Sequence, residues 1–218
     1  MPATKKLLRE FLWHLPRTPR RLRTVVLNRI MHRAHAPLPG EVIHVDPTMI
    51  RGHLTSRLAR RIRDRSGVRY GALVDGTWDR EVEYFDFAKT VLYESCYARW
   101  TEGARWCDTP LYQGYLQQLE RGGPCRFGSV EELEDRYRAL DALFEEIRRQ
   151  GRMSTAPEHL VVVNFASDGT LIWGPNGRHR IAIARIAGLP MMPAGVGFVH
   201  VDGRAHFQNA RRNAPPAV

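Results

Sequence analysis

Cysteine is scarce in this chain, and its placement excludes two classes of small protein. The 218 residues include three cysteines, Cys96, Cys107 and Cys125, and no Cys-x-x-Cys pair. An odd number without close spacing argues against a disulfide framework and against a compact zinc site. A chain of this length buries enough surface to fold without such covalent or metal constraints. We therefore expect a cysteine-independent core in a reducing compartment.

Long hydrophobic runs are also absent. No run approaches 18 apolar residues, so the sequence predicts no membrane-spanning helix. The N-terminus does not resemble a secretory signal, because FLWHLP is followed by arginines instead of a long apolar core and a small-residue cleavage site. The composition, 43% hydrophobic and 26% charged, is ordinary for a globular protein. These features predict a cytoplasmic protein with one folded domain.

Acidic residues are nearly missing from two segments. Residues 1–36 carry a net charge of +8 and residues 51–69 a net charge of +6, within a total of +10. Such segments attract nucleic acid or anionic lipid. Residues 1–36 also have Leu, Phe and Trp at helical spacing, so we expect a basic amphipathic arm. Three interpretations stay open: a helix docked on its own core, a peripheral contact with the inner face of the membrane, or a nucleic-acid contact, which the lack of a helix-turn-helix module disfavours.

The rest of the chain, residues 37–218, reads as one α/β (α+β) domain. Ser129 and Glu132 form a capping box, and Gly151 closes the helix that follows. The predicted strands lie at residues 41–45, 70–74, 159–165, 170–173 and 192–201, with a hairpin turn at 167–169. The predicted helices lie at 49–65, 81–101, 110–122, 130–150 and 178–187, followed by a disordered tail at 211–218. We expect a small mixed sheet with a helical block inserted at about residues 81–151.

The segment GPNGRHR, residues 174–180, joins a strand directly to a helix. The first amides of a helix have no internal partner, and the helix dipole makes that end positive. Arginines and a histidine there conflict with the dipole unless an anion is bound. The pattern predicts a phosphate site at Asn176, Gly177, Arg178, His179 and Arg180. The alternative is a solvated basic turn in which Arg180 is tied to a carboxylate of its own chain. A P-loop is not predicted, because no Walker pattern is present.

A second candidate is the segment DGTWDR, residues 75–80. Asp75 and Asp79 stand four residues apart beside a glycine, and could hold Mg²⁺ or orient a hydroxyl nucleophile. In the alternative interpretation, Asp79 caps the following helix and Trp78 fills the core. If the site is functional, Asp79 should face the turn that carries Arg178 and Arg180.

Residues 158–202 resemble the ParB/sulfiredoxin-like superfamily. The resemblance rests on the hairpin, the turn Gly-Pro-Asn-Gly-Arg-His-Arg, the Ala-rich helix and the segment Gly-Leu-Pro-Met-Met-Pro before the last strand. It extends to the strand at 41–45 with Asp46-Pro47, which makes the helical block an insertion. The resemblance implies ATP or CTP, with Mg²⁺, held by the turn. Gly177, His179 and Arg180 match the phosphate-contacting positions of the superfamily.

Three features depart from known members of that superfamily. Asn176 stands where phosphotransferase members place an acid, and Arg178 stands where the sulfinic-acid reductases have their catalytic cysteine. The Glu-Asn-x-x-Arg box of the DNA-partitioning members is absent.

The leading hypothesis from the sequence is a kinase-like, nucleotide-dependent phosphotransferase or a nucleotide hydrolase acting on an unknown acceptor. Arg178 and Arg180 would neutralise phosphate charge, and His179 would contact phosphate or act as an acid/base. Asp79 or Asp75 would act through Mg²⁺ or as a base. The rivals are a nucleic-acid-binding protein and a non-catalytic, membrane-peripheral scaffold.

Overall fold

The computed structural model describes residues 36–66, 70–122, 124–174 and 176–212, together with residue 26. The predicted basic arm therefore lies outside the described residues, apart from residues 26 and 36. Within the described part, no helix combines the length and the apolar character needed to cross a bilayer.

Helices and strands mix along the described chain, which confirms the predicted α/β class. The strands are β1 Val42–Val45, β2 Ile50–His53, β3 Ala72–Val74, β4 Glu83–Tyr84, β5 Val161–Phe165, β6 Leu171–Trp173 and β7 Met192–His200. The helices are α1 Ser56–Ser66, α2 Val91–Trp100, α3 Pro110–Glu120, α4 Val130–Gln150, α5 Arg178–Ile186 and α6 Arg204–Arg212. Helices α2, α3 and α4 form the helical block, which lies between β4 and β5 in the sequence.

The strands form one mixed sheet in the order β1-β7-β5-β6-β2-β4. Strand β3 pairs in parallel with the C-terminal end of β7, and β1 pairs antiparallel with its N-terminal end. The β5–β7 and β2–β6 pairs are parallel, and β5–β6 is the predicted antiparallel hairpin. This arrangement confirms a mixed sheet and places β7 and β5 at its centre, where nearly every residue is buried.

A buried amide joins the three central strands. Asn164 on β5 is fully buried, and its side-chain nitrogen donates to the Ile172 carbonyl at 3.1 Å. Its side-chain oxygen accepts from the Phe198 backbone N–H at 2.8 Å. The ladder between β5 and β7 shifts register at this point, and the amide supplies the hydrogen bonds that the regular ladder lacks there.

One carboxylate holds the helical block together. Asp141 on α4 accepts hydrogen bonds from the indole N–H groups of Trp100 and Trp106, at 2.8 and 3.0 Å. Its second oxygen pairs with Arg99 of α2 at 2.7 Å. The Trp100 ring lies parallel to Phe144 at 4.6 Å. The block is therefore a packed unit with its own polar centre, and its indole rings serve packing.

The elements with strong local sequence signals agree with their predicted bounds, and those with weaker signals differ. Half of the predicted capping box is present, since Ser129 accepts from the Glu132 N–H at 3.3 Å, whereas the Glu132 carboxylate accepts from the Gly128 N–H at 2.8 Å, one residue before the position that a capping box uses. Gly151 ends α4 at φ 65°. The helix predicted at 49–65 is wrong at its start, because β2 occupies Ile50–His53 before α1. The helix predicted at 81–101 is wrong over its first ten residues, because a 3-10 turn and β4 precede Thr90, which caps α2. Helix α6 is not among the predicted helices: no element is predicted for residues 204–210, and the predicted disordered tail at 211–218 is wrong for residues 211 and 212, which end this helix.

We predict that Asn164→Leu lowers the free energy of unfolding by about 2–4 kcal/mol, because it leaves a buried carbonyl and a buried N–H unpaired. Urea unfolding followed by circular dichroism measures the change. Asn209→Ala is the matched control, because this asparagine is exposed on α6, and it should change stability by less than about 0.5 kcal/mol. Equal stability of Asn164→Leu and wild type would contradict the role given to the amide.

Candidate anion-binding site

Helix α5 begins at a glycine that no other residue replaces without strain. Gly177 has φ 103°, and a Cβ there would lie 2.8 Å from Cγ2 of Val161 on β5. The turn therefore packs directly against the N-terminal end of β5. Gly177 offers no side-chain cap, and the N–H groups of Arg178, His179 and Arg180 find no acceptor among the described residues. This helix end keeps its donors available for a ligand.

The body of α5 is fixed in the core. Ile181, Ala182, Ile183 and Ala184 are fully buried against the sheet and the helical block. At its other end, Arg185 donates to the carbonyl oxygens of Pro47 and Ile50, both at 2.8 Å. Helix α5 is therefore held along its length by packing, and at its C-terminal end by hydrogen bonds to the β1–β2 connection.

Four arginines gather around the first turn of α5. Arg178 and Arg180 come from α5 itself, Arg136 from α4, and Arg126 from the α3–α4 loop; with His179 we call them the basic cluster. Burial, together with Arg136, Arg126 and Arg178, lowers the pKa of His179 to about 3. Burial, together with Arg126 and Arg180, lowers the pKa of Arg136. These mutual effects indicate that Arg126 and Arg136 of the helical block lie close to the first turn of α5.

The arginines of the basic cluster are not neutralised by acids of the described chain. Arg126, Arg136 and Arg178 form no ion pair with any described carboxylate. Arg180 donates to the backbone carbonyl of Glu158 at 3.3 Å, and the Glu158 carboxylate opposes the lowering of its pKa by burial. The alternative predicted an ion pair between Arg180 and a carboxylate of the same chain. In the described residues Glu158 acts on Arg180 electrostatically, without such an ion pair.

Buried polar atoms beneath the cluster lack hydrogen-bond partners. They are Nε2 of His179, the Tyr137 hydroxyl and Nε of Arg136. The Tyr137 and His179 rings meet edge to face, with centroids 6.4 Å apart. Buried polar groups in folded proteins are nearly always paired, so three orphans in one place indicate hydrogen-bonding capacity that the described chain does not use.

The protonation state of His179 differs from the one expected. The side chain is 9% exposed, and its pKa of about 3 leaves the imidazole neutral at physiological pH. Proton exchange near neutrality is therefore not available to it in this environment. A neutral imidazole still donates or accepts one hydrogen bond at each ring nitrogen.

Asp79 does not face the turn. Its carboxylate accepts from the Ser167 N–H at 3.0 Å and from the Ser167 hydroxyl at 2.6 Å. Burial alone would raise the pKa of Asp79, but these hydrogen bonds outweigh it and lower the pKa. Ser167 follows the C-terminal end of β5, whereas Gly177 packs on Val161 at the N-terminal end of β5. At about 3.3 Å per residue, the two ends of this strand are about 13 Å apart. Asp79 caps the hairpin, and Trp78 beside it is buried.

Asp75 lies at the same end of the sheet as Asp79, exposed on the rim of a cavity of about 220 Å³ beside α1. The donors at the α5 turn are arginines, which repel a cation. Across the described ranges, no three His, Cys, Asp or Glu side chains converge as a metal site requires. The residues at the turn therefore do not fit Mg²⁺.

Sequence reasoning missed the contribution of the helical block. Arg136 precedes Tyr137 at the edge of the apolar stripe of α4, and this position was the available signal. On the sheet side of the turn, the His53 ring stacks on Trp173 at 4.9 Å. Burial, and then Arg178, lower the pKa of His53. Arg136 and His53 are both far from the α5 turn in the sequence, so neither could be assigned to it from local patterns.

Comparison with family models, with curated proteins and with solved structures returned no match for this chain. The ParB/sulfiredoxin-like assignment therefore stays a prediction.

We predict that His179 makes stability depend on pH in acid. Between pH 6.5 and about 3 the unfolded chain binds a proton that the folded imidazole does not, so stability falls as the pH drops through this window. His179→Gln removes this contribution. The difference in unfolding free energy between variant and wild type should change by up to about 1.4 kcal/mol per pH unit. Urea titrations at pH 6.5, 5.5 and 4.5 test this, and parallel profiles for the two proteins would contradict it.

Proposed function

We propose that this protein binds the phosphate chain of a nucleoside triphosphate, ATP or CTP, at the basic cluster. The observation that carries the proposal is the convergence of Arg126, Arg136, Arg178 and Arg180 without a described carboxylate in an ion pair with any of them. The chemistry that such a site serves is nucleotide-dependent phosphoryl transfer or hydrolysis, as the sequence resemblance implies.

The charge of the cluster suits a polyphosphate better than a single carboxylate. The positive charge comes from four guanidinium groups and the positive end of α5. Among the described carboxylates, that of Glu158 offsets this charge in part, through its effect on Arg180. Guanidinium groups bind phosphate oxygens through paired hydrogen bonds. Since the arginines come from both α5 and the helical block, a chain of phosphates can be held from two sides.

The proposed roles follow from position. The free amides after Gly177 bind phosphate oxygens, and Arg178 and Arg180 neutralise charge on the transferring group, which is the main protein contribution to phosphoryl transfer. His179 acts as a neutral hydrogen-bond partner. Asp79 has no direct role, because it caps the hairpin at the other end of β5. The acceptor stays unassigned.

We predict that Arg136→Ala weakens ATP binding by about 10- to 100-fold, the loss expected for a charge-assisted hydrogen bond. The folded state should remain intact, because burial and the like-charged Arg126 and Arg180 disfavour the charge on Arg136 and no described carboxylate pairs with it. Isothermal titration with ATP, CTP and GTP, with and without Mg²⁺, measures the effect.

Arg138→Ala is the matched control for that experiment. Arg138 lies two residues further along α4, is exposed, and pairs with Glu134 and Asp135. Its removal should change affinity by less than about twofold, as expected for a surface ion pair. Equal affinities of wild type and Arg136→Ala, or no triphosphate binding by wild type at millimolar concentration, would overturn the proposal.

Asp79→Asn separates a catalytic carboxylate from a structural one. We predict a loss of roughly 1–3 kcal/mol in unfolding free energy, because the charge-assisted hydrogen bonds to Ser167 weaken. ATP affinity should stay within about twofold of wild type, since the carboxylate stands far from the cluster. A folded variant with normal stability and lost ATP affinity would return Asp79 to the site.

A specific observation favours nucleic-acid contact as a second function. Arg57, Arg60 and Arg63 are exposed on α1 and form no ion pair with a described carboxylate. The apolar face of α1, with Leu58 and Ile62, is buried in the core, so this helix has no apolar surface left for a membrane. Binding to duplex DNA that falls steeply from 50 to 200 mM salt and is weakened by Arg60→Ala would support this function. Salt-independent or absent binding would exclude it.

A further inference from the structure

An aromatic pair lies beside the basic cluster and has no role in phosphate binding. Tyr115 belongs to α3, and Phe127 to the α3–α4 loop. Their rings meet edge to face with centroids 5.0 Å apart. Both side chains are partly exposed, unlike Tyr112 and Tyr137, which are buried in the core of the helical block. The pair therefore presents aromatic surface at the edge of the block.

The aromatic pair is continuous with the arginines. The guanidinium carbon of Arg126 lies 5.7 Å from the centroid of the Phe127 ring. Burial raises the pKa of Tyr137, and the neighbouring Tyr115 hydroxyl adds to that effect. Tyr115 also acts electrostatically on Arg136. Arg126, Arg136, Tyr115 and Phe127 thus line one wall, which the helical block supplies.

A wall of this composition suits a planar ring attached to phosphate. Aromatic side chains stack on nucleobases whatever the base, and a guanidinium plane adds a cation–π contribution. The arginines of the same wall fix the phosphate end, so a ring joined to that phosphate is brought within reach of the pair.

We propose that Tyr115, Phe127 and Arg126 form a subsite for the base of a free mononucleotide whose phosphates occupy the basic cluster. This inference rests on the proposed function and extends it, because it assigns the inserted helical block to recognition of the base. The proposed ligand is a mononucleotide, and the test below distinguishes it from the end of a nucleic-acid strand.

The test compares ATP with inorganic tripolyphosphate, which has the phosphates but no ring. Titrations use full-length wild type, Tyr115→Leu, Phe127→Leu and the double variant. Each single variant should lose about tenfold in ATP affinity, the order expected for one stacking contact, and keep its tripolyphosphate affinity within about twofold. Tyr115→Phe should bind ATP like wild type, because it retains the ring and loses only the hydroxyl.

The control is Tyr97→Leu, which removes an exposed tyrosine of the same helical block and should leave both affinities unchanged. Circular dichroism and thermal unfolding of every variant confirm that the block remains folded. Leucine keeps the apolar contacts of these partly buried positions, so loss of the fold is not expected.

Each outcome is decisive. Unchanged ATP affinity in the folded double variant, or an equal loss for ATP and tripolyphosphate, overturns the base subsite while the phosphate site stands. Binding of a short single-stranded oligonucleotide more tightly than ATP overturns the mononucleotide assignment. No binding of either phosphate compound by wild type overturns both this inference and the proposed function.

Discussion

Like charges that repel one another surround the first turn of α5, and the packing of the fold holds them there. Four guanidinium groups meet at the first turn of α5, where burial and their own neighbours lower the pKa of Arg136 and keep His179 neutral. Such an arrangement is unfavourable to the extent that the charges repel, and solvent screens the exposed Arg126 and Arg178. The fold maintains it by fixing α5 against the sheet and through Arg185. An anion bound at this turn relieves the repulsion, and the supporting structure then acts as preorganisation for that anion.

The sheet separates Asp79 from the α5 turn, although the functional hypothesis from the sequence requires them to face each other. The Asp79 carboxylate caps the β5–β6 hairpin at one end of β5, and the α5 turn packs on the other end. The lowered pKa of Asp79 reflects its hydrogen bonds to Ser167, and its carboxylate does not face the α5 turn. The helical block, in contrast, contributes side chains beside that turn. Its Asp141 centre positions α4, and α4 carries Arg136 to the site.

Local chemistry explains which elements were predictable. The Ser129 cap of α4, the hairpin at Ser167–Gly169 and the glycine turn before α5 are each encoded within a few residues, and each is present. Strand β2 is only four residues long and is followed by arginines that suggest a helix, so its strand character depends on pairing with β6 and β4. Helix α6 depends on the burial of Phe207 and on an ion pair between Arg211 and Glu41, two residues remote in sequence.

The sequence alone therefore determined the α/β class, the long helix α4 and the basic glycine turn before α5, and from that turn it predicts an anion site. The tertiary structure alone decided which residues share that place. The tertiary structure brings Arg126 and Arg136 close to the turn, and no described carboxylate is ion-paired with either. It also buries His179, which keeps the imidazole neutral, and it places Asp79 at the other end of β5. The reason is physical: capping and turn formation act over a few residues, whereas burial and Coulomb interactions depend on distances in space that the chain sets only after it has folded.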